Sequence, residues 1–266
     1  MSELRELGAE GVRLAYDGRV IVDDLTVSIP SGKTTVIVGP NACGKSTLLK
    51  GLARLMRPAA GRVVLDGADI HSIPTKQLAR SLGLLPQQPL APDGITVADL
   101  VGRGRYPHQG VFRQWSSADE AAVAHALEQT STLELAARPV EELSGGQRQR
   151  VWIAMALAQE PEILLLDEPT TYLDVAHQVE VLDLLHDLNR SRGTTVVMVL
   201  HDLNLAARYA DHLIVMAGGA IVTEGSPNEV ISVETMRSAF GLDSVVVSDP
   251  VCGSPMVIPF GRFHRA

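Results

Sequence analysis

The chain has 266 residues, 45% of them hydrophobic and only 4% aromatic, with a formal net charge of −8. That length suits one large α/β domain, or one domain with an inserted subdomain, around an aliphatic core. An acidic chain without a dense Lys/Arg run lacks the basic face of a nucleic-acid binder, and two cysteines, Cys43 and Cys252, exclude a disulfide framework and fit a reducing cytoplasm.

The N-terminal third reads as short strands broken by turns: VRLAY, LTVSIP, TTVIVG and RVVLDG, punctuated at Asp17-Gly18, Pro30 to Gly32 and Asp66-Gly67. A helix, KSTLLKGLARLM, opens after Gly44, and LGLLPQQP closes the section. From Leu90 to Ala158 the texture turns to helix and loop. Then EILLLDEP, a helix from about Val175 to Leu188, TTVVMVLHD, another helix, HLIVMAG and AIVTEG follow in turn. ILLLD and VVMVL are continuous apolar runs, as in parallel strands buried on both faces, and their alternation with helices predicts an α/β layer architecture. The last section, from Ser226, has a helical piece and a tail, SDPVCGSPMVIPFGRF, expected to be loose. MSELRELGAE has no signal-peptide h-region, and no apolar run approaches the ~20 residues that cross a bilayer. The expectation is a chain soluble by itself that can dock on a membrane protein.

Gly39-Pro40-Asn41-Ala42-Cys43-Gly44-Lys45-Ser46 matches G-x-x-x-x-G-K-[ST] between an apolar strand and a helix, and Thr47 follows. The backbone N–H groups of such a loop wrap phosphates, Lys45 reaches the β- and γ-phosphates, and Ser46 holds Mg²⁺. The apolar strand ILLLD ends on Asp167 and Glu168, where open α/β sheets meet their ligands. Asp167 is the expected Mg²⁺ partner through water, and Glu168 the general base for an attacking water. His201 ends the next apolar strand, on the same expected edge; the remaining histidines show no metal-ligand spacing. Cys43, just before a helix start and beside Lys45, is open to two readings: a reactive thiol or a small inert filler.

The stretch LSGGQRQR, Leu143 to Arg150, is an anomaly. The helix after it is well patterned, with Val151, Ala154, Met155 and Ala158 on one face. Yet Gly145 and Gly146 each cost roughly 1 kcal/mol in its first turn. Arg148 and Arg150 sit at the positive end of the macrodipole. Bare N–H groups, Ser144 and the arginines suit an anion, which would make a second phosphate site.

At this point the chain resembles, over nearly its whole length, the nucleotide-binding subunits of ATP-binding-cassette transporters. LSGGQ looks like the family's signature motif. Tyr16 is similar to the aromatic that stacks on adenine, although a strand-end Tyr also serves packing. Gln87 resembles the Q-loop glutamine, Asp167-Glu168 the Walker B end, Thr171 to Asp174 the D-loop, and His201 the switch histidine. The resemblance implies a P-loop NTPase (RecA-like) core, residues 1–89 and 160–225, with an N-terminal antiparallel β subdomain. It further implies an inserted helical signature subdomain, 90–159, and a C-terminal extension, 226–266. It implies ATP and Mg²⁺ as cofactors, with Ser46, Gln87 and Asp167 at the metal and Lys45, Gln87, Glu168 and His201 in catalysis. Two such domains pair head to tail, so that Ser144, Gly145, Gly146, Gln147 and Asp174 serve the partner's ATP. The family usually has Gly where this chain has Ala42, and Ala42 is therefore expected in an ordinary backbone region.

Leu100 to His108, Thr171 to Gln178, His201 to Tyr209 and the tail Asp249-Pro250-Val251 look like the iron(III)–siderophore, haem and cobalamin importer branch, siderophore members first. That implies a peripheral ATPase on the cytoplasmic side of the membrane. Its partners would be permease subunits docking near residues 88–115, anchored by Tyr106, Phe112 and Trp115, and an extracytoplasmic binding protein. A soluble cassette ATPase of DNA repair or translation fits less well: no coiled coil separates the phosphate loop from the signature, and there is one acidic cassette. An exporter subunit fits less well too, because exporters often fuse the cassette to membrane spans.

Overall fold

The computed structural model describes residues 5–87, 89–110, 115–171 and 173–261. It divides into two compact units, one built from the chain up to Ser72 and from Thr195 onward, the other from Ile73–Thr194.

The first unit opens with β1 (Leu7–Tyr16) and β2 (Arg19–Ile29), joined through the turn at Asp17-Gly18. β3 (Thr34–Val38) leads through the phosphate loop into α1 (Lys45–Leu52), and β4 (Ala60–Leu65) and β5 (Ala68–Asp69) complete this part. The antiparallel sheet runs β2-β1-β4-β5, with Leu7 opposite Ile29 and Ala9 opposite Val27. Helix α1 buries Leu48, Leu49 and Leu52.

The second unit contains α2 (Thr75–Ser81), β6 (Leu82–Leu85), α3 (Val97–Gly102), a 3-10 turn (Arg103–His108), α4 (Ser117–Gln129), α5 (Gly145–Ala158), β7 (Ile163–Asp167) and α6 (Val175–Arg192). β6 and β7 pair in parallel, and every residue of β7 is buried, as its unbroken apolar run predicts. α5 packs on α3 and α4; of the face its spacing predicts, Val151, Ala154 and Ala158 are buried and Met155 half-buried, and Trp152, Ile153, Ala156 and Leu157 are buried as well. Caps set the helix starts. Ser116 and Asp119 form a capping box on α4, and Asp174 caps α6, which ends at Gly193 in the left-handed region, φ 68°.

The chain then returns to the first unit with β8 (Thr195–Val199), α7 (Leu203–Tyr209), β9 (His212–Ala217) and β10 (Ala220–Gly225). α8 (Pro227–Val230), α9 (Val233–Phe240), β11 (Ser244–Ser248) and β12 (Pro255–Pro259) follow. β3 lies between β8 and β9, parallel to both, and β9 turns back antiparallel into β10. The result is the mixed α/β architecture expected, with parallel strands, an antiparallel β layer and a helical section.

The tail departs from expectation: it is a β11–β12 hairpin, not a loose end. Its prolines and Gly253 hide the strands, but Pro255 and Pro259 sit at the ends of β12, where a missing N–H is tolerated. Two side chains of α7 hold the hairpin. The Asn204 amide donates to the Val257 carbonyl at 3.2 Å and accepts from its N–H at 2.8 Å. Arg208 donates to Asp249 at 2.6 Å.

That guanidinium, with the Val251 N–H, lowers the Asp249 carboxyl to about 2, from 3.8. A carboxylate held below its unfolded value contributes stability above that value and loses it as pH falls toward the folded value. The difference in urea midpoint between the parent and Asp249→Asn is therefore constant from pH 7 to 5. It closes between pH 3.8 and about 2. A gap independent of pH in that window contradicts the pairing.

Candidate functional site

The first unit carries Tyr16, the phosphate loop and His201; the second carries Gln87, Ser144 to Gln147, Asp167, Glu168 and Asp174. Gly39 to Gly44 connects β3 to α1, so the loop's N–H groups gather at a helix start, where the macrodipole favours an anion. Lys45 is buried, and its ammonium donates to the carbonyls of Gly39 and Pro40, each at 2.9 Å. An ammonium has three donors, so one more can serve a phosphate oxygen. Asn41 and Ala42 are exposed at the loop's crest, and Tyr16, 43% exposed, ends β1. His201 is exposed just beyond β8.

One expectation about this loop is corrected, and one open reading narrows. Ala42 is not in an ordinary backbone region: its φ is 61°, left-handed. A side chain there costs roughly 1–2 kcal/mol, a strain of the kind that gathers at functional loops. Ala42→Gly removes it while adding roughly 0.4–1 kcal/mol of unfolded-chain freedom. The expected outcome is a denaturation midpoint equal to or slightly above the parent's, with nucleotide affinity kept. A clear fall in the midpoint would show that Ala42 is unstrained. Cys43, of the two readings open for it, takes the filler's place: it is 6% exposed, beneath the loop and not on its crest.

In the second unit Asp167 closes β7 at 4% exposure. Glu168 follows with φ 54°, the left-handed region again. Its carboxylate accepts from the Gln87 amide at 2.6 Å and from the Thr171 hydroxyl at 3.0 Å. Gln87 and Glu168, 81 residues apart, are thus brought together. Thr171, the first residue of the D-loop stretch, thereby contacts Glu168, a bond its place in that stretch did not announce.

Ser144 begins α5 in a reciprocal capping box. Its hydroxyl accepts from the Gln147 N–H at 3.3 Å, and the Gln147 side chain accepts from the Ser144 N–H at 3.1 Å. S-x-x-Q before an apolar run announces such a box, so the helix start is better founded than its glycines suggest. The arginines also have other duties. Arg150 pairs with Glu180 at 2.8 Å, and Arg148 donates to the carbonyls of Glu141 and Leu143. Besides the arginines, the first-turn N–H groups of Gly145 and Gly146 are donors at this helix start that have no helical carbonyl to bond. A Cβ on Gly146 would lie 2.8 Å from the His177 ring, so a larger residue there requires that ring to shift. His177 in turn donates through its backbone to Asp174 at 3.0 Å and contacts it through its ring at 2.7 Å. These bonds, the backbone one first, hold the Asp174 carboxyl below the usual range.

The second unit also carries a groove of about 930 Å³, lined by Asp99, Arg103, Tyr106, Trp115, Glu120 and Leu133 among others. Tyr106 is 59% and Trp115 50% exposed, which agrees with their reading as surface anchors. Phe112, the third expected anchor, lies outside the described residues, as do Gln88 and Tyr172.

A glycine-rich G-x-x-x-x-G-K-S loop between a parallel strand and a helix, with an acidic pair closing another buried apolar strand, defines a P-loop nucleotide-binding protein. Residues 22–171 match the family model described as ABC transporter. The chain is 55% identical, over 94% of its length and 93% of the relative's, to the achromobactin transport ATP-binding protein CbrD of Dickeya dadantii. It is 52% identical, over 96% of its length and 93% of the relative's, to the ferric enterobactin transport ATP-binding protein FepC of Escherichia coli. The cobalamin import ATP-binding protein BtuD of Halobacterium salinarum stands further off at 41%, over 95% of this chain and 63% of that one. A solved chain assigned to a metal-chelate type ABC transporter, in an inward-facing conformation, superposes with a TM-score of 0.84. It is 29% identical and aligns over 98% of this chain and 99% of that one. This chain belongs to the ABC transporter family and is an ABC-type ATPase. Among its described residues no helix is long and apolar enough to cross a membrane.

Proposed function

We propose that the chain is the ATP-hydrolysing subunit of an importer for iron(III)–siderophore complexes. Two copies work together against membrane permease subunits on the cytoplasmic face, and an extracytoplasmic protein delivers the substrate. The observation that carries ATP hydrolysis is the presence, on one chain, of a phosphate loop with buried Lys45 and a strand-end Glu168 held by Gln87 and Thr171. The substrate class rests on the printed names of CbrD and FepC and their identity over most of both chains.

In this reading the loop's N–H groups and Lys45 hold the β- and γ-phosphates, Thr47 completes the cradle, and Tyr16 stacks on adenine. Ser46, Gln87 and Asp167 hold Mg²⁺. This oxygen donor set with a single carboxylate fits that ion, which keeps waters and shares its shell with phosphate. Mg²⁺ bound there neutralises charge on the phosphates. Glu168 takes a proton from the attacking water as its oxygen bonds to the γ-phosphorus and the bond to ADP breaks. His201 donates to the γ-phosphate. Ser144, Gly145, Gly146 and Gln147 of one copy, with its Asp174, close over the ATP of the other. The permease enters the groove between Tyr106 and Trp115.

The test is the purified transporter with its binding protein in lipid. An iron(III)–siderophore complex should raise ATPase activity severalfold over the idle rate, whereas haem and cobalamin should not. Stimulation by cobalamin or haem alone overturns the siderophore reading in favour of its siblings. An ATPase indifferent to the permease and to all three overturns the transport reading in favour of a soluble cassette.

A further inference from the structure

The 3-10 turn Arg103–His108 has three residues per turn, so side chains three apart share a stripe. One stripe, Arg103, Tyr106 and Gln109, lines the groove. A second, Arg105 and His108, points the other way. Arg105 is 5% exposed and forms no part of the groove wall. Its guanidinium donates to the Ala158 carbonyl at 2.6 Å, to Glu160 at 2.8 Å and to Asp119 at 3.1 Å. Ala158 is the last residue of α5, so a cation is placed against the negative end of the helix whose other end is Ser144. Asp119 is at the same time the capping-box residue of α4. His108 donates through Nε2 to the Gln159 carbonyl at 2.9 Å, and the Gln159 amide donates on to the Leu82 carbonyl of β6 at 2.9 Å. β6 runs directly into Gln87. The third stripe removes any slack: a Cβ on Gly104 would stand 2.2 Å from the Met155 carbonyl, so the turn's backbone rests on α5 itself.

We propose that this turn is a strut carrying a load on the groove to the C-terminal end of the signature helix, with Arg105 as its positioning residue. The inference rests on the reading of the groove as the permease site. One short element exposes one stripe to that site and bonds the opposite stripe to the end of α5 and, through Gln159, to the strand that precedes Gln87. Arg105 suits the task because one rigid fork serves acceptors on two helices and the loop after them, which a lysine cannot do.

The experiment compares the parent, Arg105→Lys and Tyr106→Ala in the assembled transporter. Arg105→Lys should co-purify with the permease in parent amounts. As a free subunit it should keep its basal ATPase rate. In the complex, stimulation by substrate-loaded binding protein should fall about fivefold or more, within the range of coupling between sites. Permease docking should also cease to slow amide exchange at Gly145 to Gln147. Parent-like stimulation, or an equal fall in basal and stimulated rates, overturns the proposal, since the latter is what a merely structural buried pair produces. If Arg105→Lys does not fold, His108→Ala replaces it: loss of stimulation with docking kept supports the strut, and parent-like stimulation overturns it. Tyr106→Ala should lose the permease. Should it co-purify like the parent, the groove reading fails and the strut falls with it, whereas failure of the Arg105 arm alone leaves the groove reading standing.

Discussion

In the assembled transporter, Glu168→Gln binds ATP as the parent does and hydrolyses it at least about a hundredfold more slowly, the scale of a lost general base. The substitution is nearly isosteric, and the amide carbonyl still accepts from Gln87 and Thr171, which approach the present carboxylate at 2.6 and 3.0 Å. What disappears is basicity alone. Binding is untouched because Lys45 and the loop are untouched, so ATP accumulates unhydrolysed and the closed pair of cassettes persists. Single-turnover measurement with radiolabelled ATP, alongside an equilibrium binding assay, separates the two effects. Turnover within tenfold of the parent would falsify the role given to Glu168, and weakened binding would mean that its charge serves the ground state instead.

The left-handed φ of Glu168, 54°, shows what the sequence conveyed and what it withheld. That Asp167 and Glu168 end a buried strand follows from four apolar residues and two acids in a row. That Glu168 takes a conformation most residues avoid does not, nor does its bond to Gln87, a residue 81 positions away. Ala42 carries the same lesson. The G-x-x-x-x-G-K-S spacing located the loop, but the reading that a residue with a side chain implies ordinary φ was overruled by the loop's closure around Lys45, whose ammonium draws in the carbonyls of Gly39 and Pro40.

Other features were written locally and read past. S-x-x-Q at Ser144 to Gln147 announces a capping box, but the eye goes to the glycines. The C-terminal hairpin carries a run of three valines, Val245 to Val247, yet three prolines and Gly253 masked it, and the side chains that pin it, Asn204 and Arg208, come from a helix some forty to fifty residues earlier. Arg105 and Asp119 are a buried pair fourteen residues apart that no local pattern announces. Long-range polar contacts of this kind leave no periodicity behind, whereas apolar strands, phosphate loops and caps do.

The second large effect concerns the turn at Ser144. Its glycines leave first-turn N–H groups beyond the reach of any helical carbonyl, at the positive end of α5, and its arginines are occupied with Glu180 and backbone carbonyls. Water or an anion can satisfy these groups, and in the function proposed above the anion is the γ-phosphate of ATP bound to a second copy. Asn41 and Ser144 are both exposed, so cysteines placed there can report the encounter. A tagged Asn41→Cys chain is mixed with an untagged Ser144→Cys chain, both carrying Glu168→Gln to retain ATP and Cys252→Ser to silence the exposed native thiol. With Mg-ATP and an oxidant, a tagged–untagged covalent dimer should become the main product, and without nucleotide it should stay at background. Adding Lys45→Ala to the Asn41→Cys chain should abolish it, because the phosphate that joins the two sites is then lost from that loop. The same Lys45→Ala change on the Ser144→Cys chain should leave this crosslink in place, since that chain's own phosphate loop faces the other junction. ATP-independent crosslinking, or a doubly substituted chain that forms its disulfide only within itself, would place the signature on its own chain's nucleotide and remove the reason for the two phosphate sites to exist together.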